Sequence, residues 1–99
     1  MKVVLSARAR AGLRTIALFI ARDNKARAIT FIRELERCAL EIGRMPEAFP
    51  LLPTHEASGI RRRVFRDYLI FYRIQAGQVD VVHILHGAQD YDSLLFSDE

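Results

Sequence analysis

The chain has one cysteine, no long apolar run and no glycine-rich loop, and each of these features excludes a class of protein. With Cys38 alone, no disulfide can form within the 99 residues, which excludes a disulfide-stapled secreted domain. Uninterrupted apolar runs such as residues 17–21 are far too short to cross a bilayer, and no signal-peptide stretch follows Ser6. These features predict a cytoplasmic protein that does not enter a membrane.

Residues that commonly carry chemistry are also sparse. The glycines are too far apart for a nucleotide-binding fingerprint, and neither Ser58 nor Ser93 lies in a nucleophile-elbow sequence. His83 and His86 should point to opposite faces of a predicted strand, which argues against a shared metal ion. Cys38 lies on the apolar side of a predicted helix, which favours a buried structural thiol. The sequence therefore predicts neither a metal nor a cofactor.

Positive charge is concentrated in the front of the chain. Residues 1–44 carry ten Lys or Arg and four Asp or Glu, and residues 45–73 carry five Arg and three acids. After Arg73 the sequence has five acids and no Lys or Arg. A basic surface recruits anionic partners, either nucleic acid or an acidic protein segment, and the alternative is a solvated helix face without a partner.

Hydrophobic periodicity predicts a short strand at residues 2–5 followed by two helices. Ser6 is a good N-cap for the first helix, and Asp23-Asn24 breaks the pattern before a second helix at about residues 26–42. Gly43 and Pro46 end the second helix. Because the connection is short, the helices should fold back as a hairpin, and the length suits a single domain over residues 1–99.

From residue 60 the pattern changes to strands at residues 60–65, 68–74 and 79–85, which short turns should join into an antiparallel meander. The sheet is apolar on both faces. On the middle strand, Tyr68, Ile70, Tyr72 and Ile74 should point to one face and Leu69 and Phe71 to the other; on the last strand, Val79 and Val81 should lie opposite Val82 and Ile84. The helical hairpin can cover one face. The other needs residues 94–96, a second copy of the chain or a foreign segment, and an open sheet edge would accept an added strand.

Ribonuclease chemistry is compatible with the residue types present. It needs a base near the 2′-hydroxyl, an acid for the leaving oxygen and cations for the developing charge. Side chains of these types are Arg61, Arg63, Arg73, His83, His86 and Tyr91. The alternative for a tyrosine on an apolar strand is a core position with its hydroxyl at the rim.

Three segments resemble ParE-type toxins of the ParE/RelE superfamily, the plasmid stabilisation family. They are residues 59–61 (GIR), 68–74 (YLIFYRI) and 84–90 (ILHGAQD), in that order and spacing. Residues 5–6 and 20–24 fit the same pattern, so the resemblance runs from near residue 4 to near residue 95. It implies an α+β fold in which an N-terminal strand and a helical hairpin pack on a small, mainly antiparallel sheet.

The resemblance also implies a function, the toxin component of a type II toxin–antitoxin system. An antitoxin encoded beside the toxin would wrap its sheet and helices and can form a hetero-oligomer with it. ParE-like toxins inhibit DNA gyrase, whereas RelE-like relatives cleave mRNA on the ribosome. Gyrase inhibition is the leading hypothesis. The alternatives are a ribosome-dependent endoribonuclease using His83, His86 and Arg73, or an inert binding relative.

Polar residues on the predicted sheet are the expected contacts for the target or the antitoxin. They are Arg61, Arg63, Tyr72, Arg73, His83 and His86. The arginine fork suits carboxylates and phosphates. The sequence departs from the family pattern at Lys25, where proline is usual, at Gln89, where arginine is common, and at His83, where a basic residue is frequent. The latter two departures each remove a cation.

Overall fold

Three α-helices and four strands, with two short 3₁₀ helices at Ile42–Arg44 and Glu56–Ser58, lie in residues 1–96, the part of the chain that the computed structural model describes. In order they are β1 (Lys2–Leu5), α1 (Ala7–Ala21), α2 (Lys25–Glu41), β2 (Ile60–Phe65), β3 (Tyr68–Gln75), β4 (Gln78–His86) and α3 (Tyr91–Phe96). The predicted α+β class and element order are confirmed, and α3 replaces an expected tail. Residues 97–99 of the predicted domain lie outside the described residues. No helix within residues 1–96 is long and apolar enough to span a bilayer.

Polar side chains cap the starts of both long helices. Ser6 Oγ accepts the backbone N–H of Ala9 at 3.0 Å, as predicted, and Asn24 Oδ1 accepts that of Arg27 at 2.9 Å. Each bond satisfies a donor that the first helical turn leaves free. Because few residues separate α1 from α2, the helices fold back and pack on each other. The predicted helical hairpin is therefore confirmed.

The sheet is mixed and has the strand order β1-β4-β3-β2. β2, β3 and β4 form the predicted antiparallel meander, whereas β1 runs parallel to β4. The turn between β3 and β4 consists of Ala76 and Gly77, both with positive φ, which matches the twist of a two-residue hairpin. β1 pairs with β4 only as far as Leu5 opposite Val81. Beyond that point no strand pairs with this edge of β4 within residues 1–96, and α1 contacts it instead.

A β-bulge in β4 corrects part of the predicted side-chain alternation. Phe71 pairs with His83 but the next residue, Tyr72, pairs with Val81, which leaves Val82 as an extra residue. The bulge shifts the alternation by one position, so Ile84 packs in the core beneath the helices. The prediction that placed Ile84 with Val82, on the face opposite Val81, was wrong. Strict alternation of side chains does not allow for an inserted residue.

Each face of the sheet carries its own core. The helix-side core combines α1, α2, β3 and β4, and it includes Cys38, whose predicted burial is confirmed. The opposite face carries a smaller cluster of Leu52, Ile60, Leu69, Phe71 and Leu85. Tyr91, Leu95 and Phe96 of α3 pack against this cluster. Of the three covers considered from sequence, the C-terminal segment therefore occupies this face.

Candidate functional site

Two predicted site arginines are used within the protein. Arg61 Nη1 donates to the carbonyl oxygen of Phe49 at 2.7 Å. Arg63 Nη1 donates to the carbonyl oxygen of Cys38 at 2.7 Å, near the end of α2, and its guanidinium lies 4.8 Å from the centre of the Phe49 ring. Helices leave their last carbonyl groups without intrahelical partners, so Arg63 also satisfies an acceptor there. Both arginines fasten neighbouring segments to β2.

Tyr72, a third predicted site residue, is fully buried on the helix side of β3. Its hydroxyl donates to the carbonyl oxygen of Pro46 at 2.6 Å. Burial raises the pKa of the Tyr72 phenol, so the hydroxyl keeps its proton and remains a donor at neutral pH. Tyr72 and the two arginines together hold residues 45–52 on the sheet.

The other three predicted residues lie in separate places, and one of them, His83, pairs with Phe71 of β3. Arg73 lies on the second face of β3, and its Nε is buried with no hydrogen-bond partner within residues 1–96. His86 pairs with Tyr68 on the helix side, and their rings meet edge to face at 5.2 Å. Arg73 and Tyr68 are five positions apart on β3, roughly 16 Å at the usual rise per residue. The fold therefore does not bring Arg73 and His86 to one phosphate.

An open trough lies where α1 contacts the uncovered edge of β4. A Cβ atom added to Gly12 would lie 2.5 Å from the carbonyl oxygen of Ile84, which is shorter than atoms can approach. Only glycine allows the two backbones to come this close. This contact sets the floor of the trough and places α1 side chains opposite His83 and His86.

Two adjoining cavities form the trough. The first, of about 250 Å³, has the polar side chains of Arg8, Thr15, His83 and Gln89 among apolar ones such as Leu85 and Leu94. The second, of about 370 Å³, is lined by Thr15, Ile16, Phe19, Tyr68, His86 and Gln89. The cavities share Thr15, Ile16 and Gln89, so they form one continuous surface. We refer to the residues of both cavities as the α1–β4 trough.

The hydrogen bonds of the two histidines define which ring nitrogens are free. His83 Nδ1 accepts the backbone N–H of Ile84 at 3.1 Å, and His86 Nδ1 accepts that of Ala88 at 3.0 Å. A neutral imidazole that accepts at Nδ1 carries its proton on Nε2. Burial, followed by the nearby Arg8 guanidinium, lowers the pKa of His83, so its ring is neutral at pH 7. His83 thus presents an N–H donor rather than a cation.

The trough residues that sequence reasoning missed are Arg8, Thr15 and Phe19. They lie off the core stripe of α1, and for the arginines of that face the sequence leaves open both a solvated surface and a surface for an anionic partner. Their relation to His83 depends on how α1 packs on β4, which no local pattern encodes. The available signal was Phe19, a large apolar residue beside that stripe, which is 62% exposed. Among residues 1–96 no cluster of three or more His, Cys, Asp or Glu could hold a metal ion.

A second surface lies at the free edge of β2. Leu51 bridges to Arg61, and the backbone N–H of Arg62 donates to Pro50, so the loop covers the first half of this edge. By strand alternation the backbone groups of Val64 also point away from β3, and its side chain is 59% exposed. A groove of about 220 Å³ beside it is lined by Glu34, Arg37, Cys38, Glu41, Arg63, Phe65 and Arg66. We call the part from residue 63 to 65 the open β2 edge.

Solved structures with the same arrangement define the fold. A chain of the chromosomal ParDE toxin–antitoxin system from P. aeruginosa superposes with a TM-score of 0.74 at 12% identity, covering 87% of this chain and 95% of that one. A chain of the RelBE2 toxin–antitoxin complex from Mycobacterium tuberculosis gives a TM-score of 0.64 at 19% identity, covering 86% and 95%. At these identities the likeness shows the fold alone, which is the RelE/ParE-like α+β fold.

The sequence defines the family. Residues 3–91 match the family described as the ParE toxin of type II toxin–antitoxin system, parDE. The chain therefore belongs to the ParE toxin family and is a toxin of a type II toxin–antitoxin system. It has no match among curated proteins.

Proposed function

We propose that this ParE-family toxin inhibits a replication target, DNA gyrase, and that a cognate antitoxin encoded beside it neutralises the inhibition. The observation that carries the proposal is the family match over residues 3–91. The two structural neighbours belong to a ParDE system and a RelBE2 toxin–antitoxin complex, which supports an antitoxin as the partner. On this proposal the toxin acts by binding.

The α1–β4 trough is the proposed contact with the target. It contains His86 and Gln89, which lie in the segment at residues 84–90 that resembles ParE toxins. It also combines hydrogen-bond donors with the exposed ring of Phe19. Concave surfaces that place a few polar groups beside apolar walls are the usual form of binding sites.

The open β2 edge and the helical hairpin are the proposed contacts with the antitoxin. A strand added at Val64 would satisfy backbone groups that β3 cannot reach, which is how extended segments bind sheet edges. Large apolar side chains are exposed on the hairpin at Leu18, Ile29 and Leu40. A groove of about 440 Å³ between its helices contains Ile29 and Ile32 in its wall. Exposed apolar surface of this kind fits a partner that wraps the helices.

The separation of His86 from Arg73 argues against RNA cleavage by that pair and supports binding as the mode of action. A ribonuclease needs its base and its charge-stabilising cations within reach of one phosphate. His86 and Arg73 lie on opposite faces of the sheet and far apart along β3. His83 is nearer to Arg73, because it pairs with Phe71 two positions away on β3, but its side chain lines the cavity beside Arg8.

Pulse labelling after brief induction in bacteria without the antitoxin tests the proposal. Thymidine and methionine incorporation are followed separately, and DNA synthesis should stop first. Purified gyrase should then yield cleaved DNA in the presence of the toxin. Early loss of methionine incorporation would overturn the proposal in favour of ribosome-dependent mRNA cleavage, and loss of neither would identify an inert binding relative. Arg8→Gln should delay the arrest, whereas Arg14→Gln, a similar exposed position on α1 outside the trough, should not.

A further inference from the structure

The polar side chains that line the first cavity of the α1–β4 trough can all donate hydrogen bonds. Arg8 uses only Nη1, in a long bond of 3.4 Å to the carbonyl oxygen of Leu94. His83 uses Nδ1 and therefore presents its Nε2–H. Gln89 uses Oε1 to accept the N–H of His86, so its amide nitrogen is left to donate. The described lining of this cavity contains no Asp or Glu. Such a donor set is suited to an oxyanion.

The second cavity has more apolar and aromatic walls than the first, and its described lining contains no Lys or Arg. Its walls are Ile16, the exposed ring of Phe19 and the edge of Tyr68, with His86 and Gln89 at the boundary. Aromatic and aliphatic walls favour an apolar side chain, since they exclude water from it. An anion subsite and an apolar subsite thus lie side by side in one trough.

We propose that the trough binds a segment of a partner protein that carries one Asp or Glu carboxylate and a nearby large apolar side chain. The carboxylate accepts hydrogen bonds from Arg8, His83 Nε2 and the Gln89 amide. The apolar side chain lies against Phe19 and Tyr68. The proposal deepens the function proposed above and depends on it for the role of the trough as the target contact.

The dimensions of the trough fit a short extended segment. Arg8 and Phe19 are eleven residues apart on α1, which corresponds to roughly 16 Å along the helix axis. An extended peptide of about five residues spans this distance. The acid and the apolar residue therefore lie within one such segment, two to five residues apart at about 3.3 Å per residue.

A nucleic acid strand fits the same surface less well. It carries one negative charge for about every 3.4 Å of rise, so a strand along the trough would place further phosphates over the apolar cavity. In the described lining of both cavities, Arg8 is the only Lys or Arg. Arg8 therefore supplies the charge at the anion subsite. One carboxylate matches one guanidinium.

Selection from a phage-displayed library of random heptapeptides, using the immobilised full-length toxin, tests the proposal. Enriched peptides should carry Asp or Glu two to five residues from Leu, Ile, Phe or Trp. A synthetic copy of an enriched peptide should bind wild type with a measurable Kd by calorimetry. Arg8→Gln should raise this Kd at least tenfold, whereas Arg14→Gln should leave it unchanged. Replacing the acid of the peptide by its amide should weaken binding to wild type to a similar degree.

Three outcomes would overturn the proposal: no enrichment over the starting library, enriched peptides without an acid, or equal binding by wild type and Arg8→Gln. Competition by a thymidine octanucleotide at lower concentration than the peptide would also overturn it, in favour of nucleic acid. Circular dichroism shows whether each variant is folded. Since the selection measures binding alone, its failure leaves the pulse-labelling result intact, and the reverse also holds.

Discussion

The hydroxyl of Tyr72 donates a 2.6 Å hydrogen bond to the backbone carbonyl oxygen of Pro46, joining the centre of β3 to the loop that follows α2. Arg61 holds the same loop through the carbonyl oxygen of Phe49. The loop then bridges to the first half of β2, so these polar side chains determine how much of that strand edge stays open. Hydrogen bonds within the toxin thus determine the extent of the open β2 edge, the surface proposed for the antitoxin.

Tyr72→Phe should destabilise the protein by about 1–2 kcal/mol, because the Pro46 carbonyl loses the donor that the fully buried Tyr72 side chain provides. The free energy of unfolding from urea titration measures the effect. Tyr91→Phe is the matched control, since the Tyr91 hydroxyl only meets Arg62 Nη1 at 3.2 Å in a partly exposed position. A smaller loss for Tyr72→Phe than for Tyr91→Phe would contradict the role assigned to the Pro46 bond.

Gly12→Ala should destabilise the protein by about 1–3 kcal/mol, the usual cost of overpacking a tight contact. On helix propensity alone the same change would stabilise α1 by about 1 kcal/mol, so the sign of the result separates the two effects. The clash with the Ile84 carbonyl oxygen predicts that the contact wins. Thermal unfolding gives the measurement. Gly77→Ala serves as control, because the added Cβ there meets nothing within 4 Å and only the positive φ is strained. A more stable Gly12→Ala protein would refute the close approach.

Protonation of His83 should weaken the fold in mild acid. Burial, and secondarily Arg8, lowers the pKa of His83, so the folded protein binds this proton less readily than the unfolded chain. Stability is then unaffected well above pH 6.5 and falls as pH drops below about 6.5, the ordinary value for histidine. NMR titration of the imidazole measures the pKa directly. Arg8→Gln should raise it partway, since burial remains; an unchanged pKa would show that Arg8 does not act on His83.

Cys38 should resist thiol reagents while the protein is folded. Burial raises the pKa of its thiol, with Arg63 offsetting part of the effect, so little reactive thiolate forms at neutral pH. Reaction with a chromogenic disulfide should be slow in buffer and complete in denaturant, which serves as the internal control. Stoichiometric labelling of the native protein at the rate of a free thiol would mean that the α2–sheet contact opens readily.

Features with local signals were predictable from the sequence. The caps at Ser6 and Asn24 and the strand bounds at residues 60–65 follow from neighbouring residues and their spacing. The bulge at Val82 was not predictable, because one inserted residue alters the pairing with β3 without changing the apolar character of β4. It reversed the expected face of Ile84.

The candidate site was predictable only in part. Residue type singled out His83 and His86, which do line the trough, but also Arg63, whose partner is a carbonyl group of α2. The difference depends on tertiary neighbours. The position of Arg8 beside His83 depends on the Gly12 contact between α1 and β4, which the local sequence pattern does not reveal.

Val64→Pro should weaken binding of the antitoxin while leaving the toxin folded. The Val64 N–H points away from β3, so proline removes a donor that only an added strand would use, and edge positions of this kind tolerate proline. Loss of one such bond and the strand contacts beside it should raise the Kd at least tenfold, measured by calorimetry with the purified antitoxin. Val64→Thr, which keeps the N–H, is the matched control and should bind within about twofold, since isolated surface substitutions usually change energies by less than 0.5 kcal/mol. Unchanged affinity of a folded Val64→Pro protein would exclude strand addition at β2 and leave the hairpin groove beside Ile29 as the antitoxin contact.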